Sequence, residues 1–170
     1  MVDVGSKPVT RRRAVAEGWI RMRAETLGEI RKNRNRKGNV LAVAQMAGIL
    51  AAKRTAEWIP LCHPLPLDLV DVRLTLEDEL PGVRVEVEAC AEARTGVEME
   101  ALVGAAAALL TVYDMCKAVD RGMEIGPLRL VEKEGGRSGT WRRVGDPGSR
   151  PARGPRRGRE GSRGIEANRT

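Results

Sequence analysis

The chain has 170 residues, 42% of them hydrophobic and 31% charged, and its formal net charge is +7. This length is typical of one globular domain. Its long apolar runs, 40–52 and 101–112, are shorter than the ~20 residues that a membrane-spanning helix needs. The N-terminus also lacks the apolar segment of a secretory signal. We therefore expect a cytoplasmic protein with no membrane partner.

The positive charge is concentrated at the C-terminal end of the chain. Residues 145–170 hold seven arginines against three acids, which leaves about +3 for residues 1–144. A stretch so rich in Arg, Gly and Pro is typical of a disordered tail. Its charge leaves nucleic-acid binding by the tail as an alternative. We expect one folded domain over 1–144, followed by a solvated tail over 145–170.

The core must be built without phenylalanine, which is absent from the chain. The few aromatic residues are Trp19, Trp58, Tyr113 and Trp141. Ala, Val and Leu therefore fill the interior, and each buries less area than an aromatic ring. Because such a core gains further burial by oligomerising, we expect subunit contacts. The three cysteines form no CxxC pair, which favours free thiols in a reducing compartment.

The first elements alternate between strand and helix patterns. Residues 13–23 alternate small or apolar side chains with charged ones, which predicts a half-buried strand, although their composition also suits a helix. Residues 25–32 predict a short helix. Asn39 is a favourable N-cap residue for a long helix that we expect to reach about Trp58, since Pro60 prevents its continuation.

The second half of the domain has a clearer pattern. Alternating stretches at 70–77 and 83–92, joined by a Pro-Gly turn, predict an antiparallel hairpin with one apolar face. Residues 98–119 predict a second long helix, and 128–133 predict a last strand. The resulting order β, α, α, β, β, α, β predicts an α+β fold. We expect a four-stranded, mostly antiparallel sheet with helices packed on one face.

The segment PLCHPLPL predicts a stiff, extended loop, because each proline restricts its own backbone and that of the residue before it. This loop presents Cys62 and the only histidine, His63. Adjacent residues do not bind one ion comfortably, and no partner pair stands at zinc spacing. We therefore expect no metal site here, and a structural role remains the alternative for the histidine.

Two clusters with acidic residues lie on the second long helix. Glu98 and Glu100 fall in its first turn, where the helix dipole alone would favour acids. Asp114 and Lys117 share a face near its end, as either a surface ion pair or a proton-transfer pair. Glu100 and Asp114 are separated by about 21 Å at 1.5 Å per residue. A small-molecule site that uses both clusters must therefore lie between subunits.

Basic residues suitable for a polyphosphate stand in three places. Lys37 precedes the first long helix, whose N-terminus favours anions. Lys133 and Arg137 lie in or beside the loop GGRSG, and Arg11 and Arg12 precede the first strand pattern. Together these groups suit phosphate binding, although each alone is more often part of the solvated surface. No Walker-type phosphate loop is present in the sequence.

Several long segments follow one another along the chain: MVDV, ETLxxI, KGNVLAVAQMAGI, AAKRT, IPLCHPLPL, TGVEMEALVGAAAALLTVYDMCKAVDRGM and GPLRLVEKEGGRSG. In sequence and in order they resemble the cyclic pyranopterin monophosphate synthase family. The resemblance implies an α+β fold related to the ferredoxin-like plait. It implies conversion of a 3′,8-cyclised dihydroguanosine triphosphate into cyclic pyranopterin monophosphate and pyrophosphate, in molybdenum cofactor biosynthesis. It further implies a homohexamer, built as a trimer of dimers with sites between subunits, and no redox cofactor.

The resemblance also implies roles for individual residues. Lys37 of KGN and Lys117 of YDMCK look like the catalytic lysines, with Asp114 beside Lys117. The implied substrate-binding residues are Cys62 and His63 of PLCH, Glu98, Met99 and Glu100 of GVEME, and Arg12 and Lys133. The acids suit the N–H donors of a guanine-derived ring, and the two basic residues look like triphosphate ligands. No metal ligand is implied.

Departures from the family pattern are few. Asn39 replaces the more usual Asp, and either residue caps a helix. Arg137 replaces a common Lys, and Arg still binds phosphate. The alternative from another class is a basic RNA-binding module with a four-stranded sheet. Such sheets stack bases on exposed aromatics, which the predicted central strands lack, so we expect no nucleic-acid partner. An inactive assembly subunit is disfavoured because the motif residues are present.

Overall fold

The computed structural model describes residues 1–144, and the predicted tail 145–170 lies outside the described residues. The helices and strands are, in chain order, β1 (Thr10–Arg21), α1 (Ala24–Arg31), α2 (Val40–Ala52), α3 (Thr55–Trp58), β2 (Leu69–Glu77), β3 (Gly82–Ala93), α4 (Glu98–Cys116), β4 (Glu124–Glu134) and β5 (Trp141–Arg142). The predicted order of strands and long helices is confirmed. The short helix α3 and the short strand β5 are additional.

The described residues form one open antiparallel sheet with the strand order β2-β3-β1-β4-β5. Strand β1 pairs along its whole length with β3, from Thr10 opposite Ala93 to Arg21 opposite Gly82. The first four strands and the crossover helices α2 and α4 have the arrangement of a ferredoxin-like plait. The predicted fold class is therefore confirmed, with β5 added at the edge beside β4.

The central strand β1 explains the ambiguous pattern at residues 13–23. Ala14, Ala16 and Ile20 alternate along it and are fully buried on the face that the helices cover. Leu109 of α4 approaches the strand closely, because a Cβ added at Gly18 would lie 2.7 Å from its Cδ1. The strand starts three residues earlier than the alternation suggested, and its two strand partners satisfy its backbone hydrogen bonds.

The first long helix is shorter than predicted, because it ends at Ala52 instead of Trp58. Its start agrees with the sequence, since the Asn39 side chain accepts a hydrogen bond from the amide of Ala42. At the other end, the hydroxyl of Thr55 donates to the carbonyl of Ala52 at 2.9 Å. A Thr side chain that bonds a nearby carbonyl competes with the helical ladder. The chain then resumes as the separate four-residue helix α3.

The last long strand begins four residues before the predicted start, at Glu124. Gly126 has a φ of +146°, and Pro127 follows it without an N–H to donate. The pairing with β1 shifts register between Gly18 and Ile20, opposite these residues. Such a bulge accommodates a proline inside a strand. Residues before the predicted start of the strand are therefore part of the sheet.

The long helix α4 lies across the sheet and packs against α2 at their glycines. A Cβ on Gly104 would lie 3.2 Å from the carbonyl oxygen of Gly48, and a Cβ on Gly48 would lie 3.0 Å from that of Gly104. By length and composition α4 could cross a membrane, but 61% of its most apolar stretch is buried inside the fold. The central helix of a folded domain passes the same test.

The face of the sheet opposite the helices is covered by charged side chains. Glu17 on β1 is only 1% exposed, and it accepts hydrogen bonds from Arg84 at 2.7 Å and Arg129 at 2.9 Å. Both guanidinium groups lie over the ring of Trp19, 5.4 and 5.2 Å from its centroid. The expectation that no central strand carries an exposed aromatic was wrong, because Trp19 is partly exposed on β1. The arginines, however, occupy the ring faces on which a base would stack.

Replacing Gly104 with valine should separate the two long helices. The added side chain would crowd the Gly48 carbonyl and Val87, and overpacking of this kind lowers the free energy of unfolding by about 1–3 kcal/mol. Urea unfolding measures the change. The matched control is Gly28→Val in α1, where a Cβ meets nothing within 4 Å. That variant should change stability by less than about 0.5 kcal/mol, and equal losses in both would contradict the packing argument.

Candidate active site

Asp114 joins the two lysines that the sequence singled out. The Lys37 ammonium lies 2.7 Å from Oδ2 of Asp114, and the Lys117 ammonium lies 2.7 Å from Oδ1. Lys37 also donates to the backbone carbonyl of Asp114 at 2.9 Å. Asp114 is in the last turn of α4 and Lys117 is its C-cap, whereas Lys37 comes from the loop before α2. The three form what we call the lysine cluster.

The electrostatics of the lysine cluster favour its charged forms. The hydrogen bonds from Lys117 and then Lys37 hold the pKa of the Asp114 carboxyl down at about 2. In return, the hydrogen bond to Asp114 and its negative charge raise the pKa of Lys117. The C-terminal end of a helix also carries a partial negative charge that favours cations. At neutral pH, Asp114 is therefore ionised and Lys117 is protonated.

A second cluster lies at the opposite end of α4. Cys62 and His63 from the proline-rich loop, together with Glu98, Met99 and Glu100 from the first turn of α4, line a cavity of about 260 Å³. The stiff loop and the helix start therefore meet at one cavity. The family resemblance implied that residues of both segments line one pocket. We call this group the acid–thiol cluster. It presents carboxylate and imidazole groups to a small cavity that is open to solvent.

Glu100 is the most buried member of the acid–thiol cluster, at 3% exposed. Its Oε2 atom has no hydrogen-bond partner within residues 1–144. Burial, reinforced by the charge of Glu98, raises the pKa of the Glu100 carboxyl. Burial and the nearby Glu100 also raise the pKa of the Cys62 thiol. This cluster can therefore accept hydrogen bonds from a ligand that brings its own donors into the cavity.

Arg12 and Lys133 lie at the same end of the sheet as the acid–thiol cluster. The Arg12 guanidinium donates to the carbonyls of Ala93 and Arg94 at 3.2 and 3.3 Å, where β3 leaves the sheet towards α4. Lys133 donates to the hydroxyl of Ser138 in the GGRSG loop. Arg12 therefore lies beside the segment that leads into α4, whereas Lys133 lies on β4 beside the GGRSG loop.

The structure keeps the two clusters apart within one chain. Helix α4 runs without interruption from Glu98 to Cys116. The separation of Glu100 and Asp114 is therefore about 21 Å along the axis, at 1.5 Å per residue. Of the predicted site residues, those of the lysine cluster meet at one end of the fold. The other seven lie around the other end.

Two residues without a predicted role lie between the clusters. Arg54 and Trp58 line a groove of about 450 Å³ between α2 and α4 that ends at Asp114. Arg54 also lines a cavity of about 380 Å³ that reaches Glu100. Within residues 1–144, no three His, Cys, Asp or Glu side chains converge as a metal site. In the sequence, Arg54 could have been found from the AAKRT segment, and Trp58 from its place next to the proline-rich loop.

The outer surface of α2, α3 and α4 beside this groove is apolar and exposed. Its large side chains, which are 44–57% exposed, are Val43, Met46, Leu50, Trp58 and Leu110. On α2 they follow helical spacing and so form one stripe. We call this surface the apolar helix face. An exposed apolar stripe of this kind is typical of an interaction surface.

The stability contributed by Asp114 should depend on pH in a defined window. Its carboxyl has a pKa of about 2 in the folded chain against a reference value of 3.8. A lowered pKa stabilises the fold above the unfolded value, and this contribution is lost as the pH falls through the folded value. The urea midpoint difference between the natural chain and Asp114→Asn should thus be constant above pH 5 and shrink between pH 4 and pH 2. A difference that grows on acidification would contradict the ion pairs.

Replacing Glu100 with glutamine should stabilise the chain at neutral pH. Because the folded chain raises the pKa of this carboxyl above its reference of 4.5, its contribution to stability is lost as the pH rises. Glu100→Gln should raise the melting temperature by roughly 2–4 °C at pH 8, with little difference at pH 4. The exposed Glu79→Gln is the control and should show neither effect. An unchanged melting temperature at pH 8 would mean that Glu100 is not strained by burial.

Comparison with known proteins places these motifs in one family. Residues 1–136 match the model of the MoaC family. A protein of Brucella melitensis biotype 2 named cyclic pyranopterin monophosphate synthase is 56% identical over 149 residues, which cover 88% of this chain and 90% of that protein. A protein of the same name from Thermomicrobium roseum is 58% identical over 146 residues, or 86% of this chain and 88% of the relative. The chain belongs to the MoaC family.

Proposed function

We propose that this chain converts 3′,8-cyclised 7,8-dihydroguanosine 5′-triphosphate into cyclic pyranopterin monophosphate and pyrophosphate, in molybdenum cofactor biosynthesis. The relatives at 56–58% identity are named for the synthesis of this product. The observation that supports the proposal most strongly is the lysine cluster. Two ammonium groups on one carboxylate, at the end of a helix, provide acids and bases for a rearrangement that moves several protons.

The complete site is proposed to form between two subunits. One chain separates its two clusters by about 21 Å along α4, which is too far for one small substrate. The apolar helix face lies between the two ends and is the surface that a second copy would cover. A two-fold contact pairs the same surface on both subunits in opposite directions. It would bring the Glu98–Glu100 end of one copy beside the Asp114–Lys117 end of the other, and three such dimers would make the expected hexamer.

Each cluster is assigned to the part of the substrate that fits its chemistry. Glu98 and Glu100 would accept hydrogen bonds from the amide and amino groups of the guanine-derived ring. The buried Oε2 of Glu100, which accepts no hydrogen bond in the described part of the chain, suits such a donor. Cys62, His63 and Met99 would line the ring pocket. The substrate's triphosphate would lie towards Arg12 and Lys133, which would neutralise its charge.

The lysine cluster would move the protons. Lys117 is protonated in the single chain, since Asp114 raises its pKa. It would therefore act first as an acid, towards a ring nitrogen as the five-membered ring of the purine opens. The neutral amine left behind, or Lys37, would then act as the base. In the phosphoryl step, a ribose hydroxyl oxygen forms a bond to the α-phosphorus, the bond from that phosphorus to the β-phosphate oxygen breaks, and pyrophosphate leaves.

The RNA-binding alternative is not favoured. The family is one of small-molecule synthases by the names of its members. On the open face of the sheet, the partly exposed Trp19 is held between Arg84 and Arg129, so stacking of a base would require displacing a guanidinium group. A cytoplasmic location remains a prediction from the sequence.

Turnover by the purified chain tests the proposed activity. Incubation with the cyclised dihydro-GTP should release pyrophosphate and form the pterin, which is fluorescent after oxidation. Lys117→Ala should keep its fold and lose turnover by at least roughly 100-fold. Lys32→Ala, at the exposed C-cap of α1, is the control and should retain full turnover. No product from the folded natural chain would overturn the proposed function.

Mixing two variants, each altered in one cluster and each expected to lose turnover, tests whether the site is shared. Glu100→Gln alters one cluster and Lys117→Ala the other. A hybrid dimer of the two variants contains one site with both original clusters. Co-expression in equal amounts should therefore restore about one quarter of the natural turnover, as random pairing of two-fold dimers requires. An inactive mixture with the same oligomer size would show that the two clusters do not meet in a site shared between subunits.

A further inference from the structure

The loop that supplies Lys37 also completes the C-terminal end of α4. The last turn of a helix leaves carbonyl groups without helical partners. Here two of them are bonded by one short loop, which we call the capping loop, residues 33–38. Lys37 donates to the carbonyl of Asp114 at 2.9 Å, and the side-chain amide of Asn35 donates to the carbonyl of Met115 at 2.9 Å. The capping loop is therefore fastened to the helix end at two neighbouring carbonyls.

Asn35 connects the helix end to the backbone of Lys37 itself. While its Nδ2 atom donates to Met115, its Oδ1 atom accepts a hydrogen bond from the Lys37 amide at 2.9 Å. The Asn35 carbonyl also accepts from the Gly38 amide at 3.0 Å, and Gly38 has a φ of +101° that glycine adopts readily. Because an amide nitrogen requires an acceptor and a carbonyl requires a donor, both bonds fix the same orientation of the Asn35 side chain. Asn35 is half-buried.

We infer that Asn35 is a positioning residue that holds Lys37 against Asp114 and so keeps the lysine cluster assembled. The effect of Asn35 on turnover rests on the proposed function. Lys37 and Asp114 are about half exposed, and an exposed ion pair on a long side chain contributes little by itself. Ordering that side chain also has an entropic cost. The fixed backbone of the capping loop reduces this cost by setting where the Lys37 side chain starts.

The hydrogen bonds of the Asn35 side chain all lead to the lysine cluster or to residues next to it in the chain. Its donor contacts the residue directly after Asp114, and its acceptor contacts the backbone of Lys37. The Nδ2 atom also lies 3.7 Å from the Sγ atom of Cys116, which is next to Lys117. Asn35 therefore contacts Lys37 itself, the residue that follows Asp114 in the chain, and the residue that precedes Lys117. No side-chain contact with substrate is assigned to it.

The experiment compares Asn35→Ala with Asn35→Ser. Serine can keep the short bond to the Lys37 amide, but it is too short to reach Met115, so it removes only the anchor. Both variants should lower kcat by about 10-fold and leave KM within about two-fold, as expected for a displaced catalytic group. In both, the pKa of the Asp114 carboxyl, followed by carbon NMR, should rise from about 2, because Lys37 no longer stays beside it. If the alanine variant does not fold, the serine variant is measured alone.

A double variant separates positioning from general stability. Asn35→Ala should lower turnover little further in a Lys37→Ala background, because residues that act through one group are not additive. Arg34→Ala is the control. Its side chain is exposed and makes no hydrogen bond within residues 1–144, so it should leave kcat and the Asp114 pKa unchanged.

Two results would overturn the inference. One is an Asp114 pKa in the Asn35 variants equal to that of the natural chain. The other is a loss of turnover that adds fully to that of Lys37→Ala. The carboxyl pKa needs no substrate, so it decides the positioning role even if the natural chain shows no turnover, a result that would count against the proposed function alone.

Discussion

The unbroken length of α4 is the constraint on which the candidate site depends. The helix runs from Glu98 to Cys116 without a break and is packed along the sheet by fully buried side chains such as Leu109 and Val112. It therefore holds its two ends at a fixed distance that no local movement can close. The proline-rich loop lies beside the N-terminal end of α4, and the capping loop lies beside its C-terminal end. The two clusters of candidate site residues are therefore held apart within one chain.

The two ends of α4 treat their carboxyl groups in opposite ways. Asp114 is exposed, bonded to two ammonium groups and ionised down to low pH, with a pKa of about 2. Glu100 is buried beside Glu98, and its raised pKa reflects the missing solvent. One end thus holds an ionised carboxylate between two ammonium groups, and within residues 1–144 the other leaves a buried carboxyl oxygen without a donor. A substrate with both a polar ring and protons to move would use the two ends for different tasks.

A core of small side chains has consequences on the surface. Gly48 and Gly104 allow α2 and α4 to approach until their backbones nearly touch, so the interior needs no aromatic ring. Several larger apolar side chains of these helices, such as Met46 and Leu110, are exposed on the outer surface. Small residues thus allow the close packing between the two helices, and larger apolar residues on their outer side form the apolar helix face.

The sequence alone determined what depends on short-range pattern. The alternating strands, the Asn39 cap, the hairpin and the sharing of a helix face by Asp114 and Lys117 follow from period, turn chemistry and spacing, and the motifs were enough to predict the family. Only the tertiary structure decided that α2 ends at Ala52, that two arginines cover Trp19, and that Lys37 meets Asp114. These outcomes depend on residues far apart in the chain, 77 positions apart in the last case. No local pattern records such contacts, because they are set by which loop crosses which helix end.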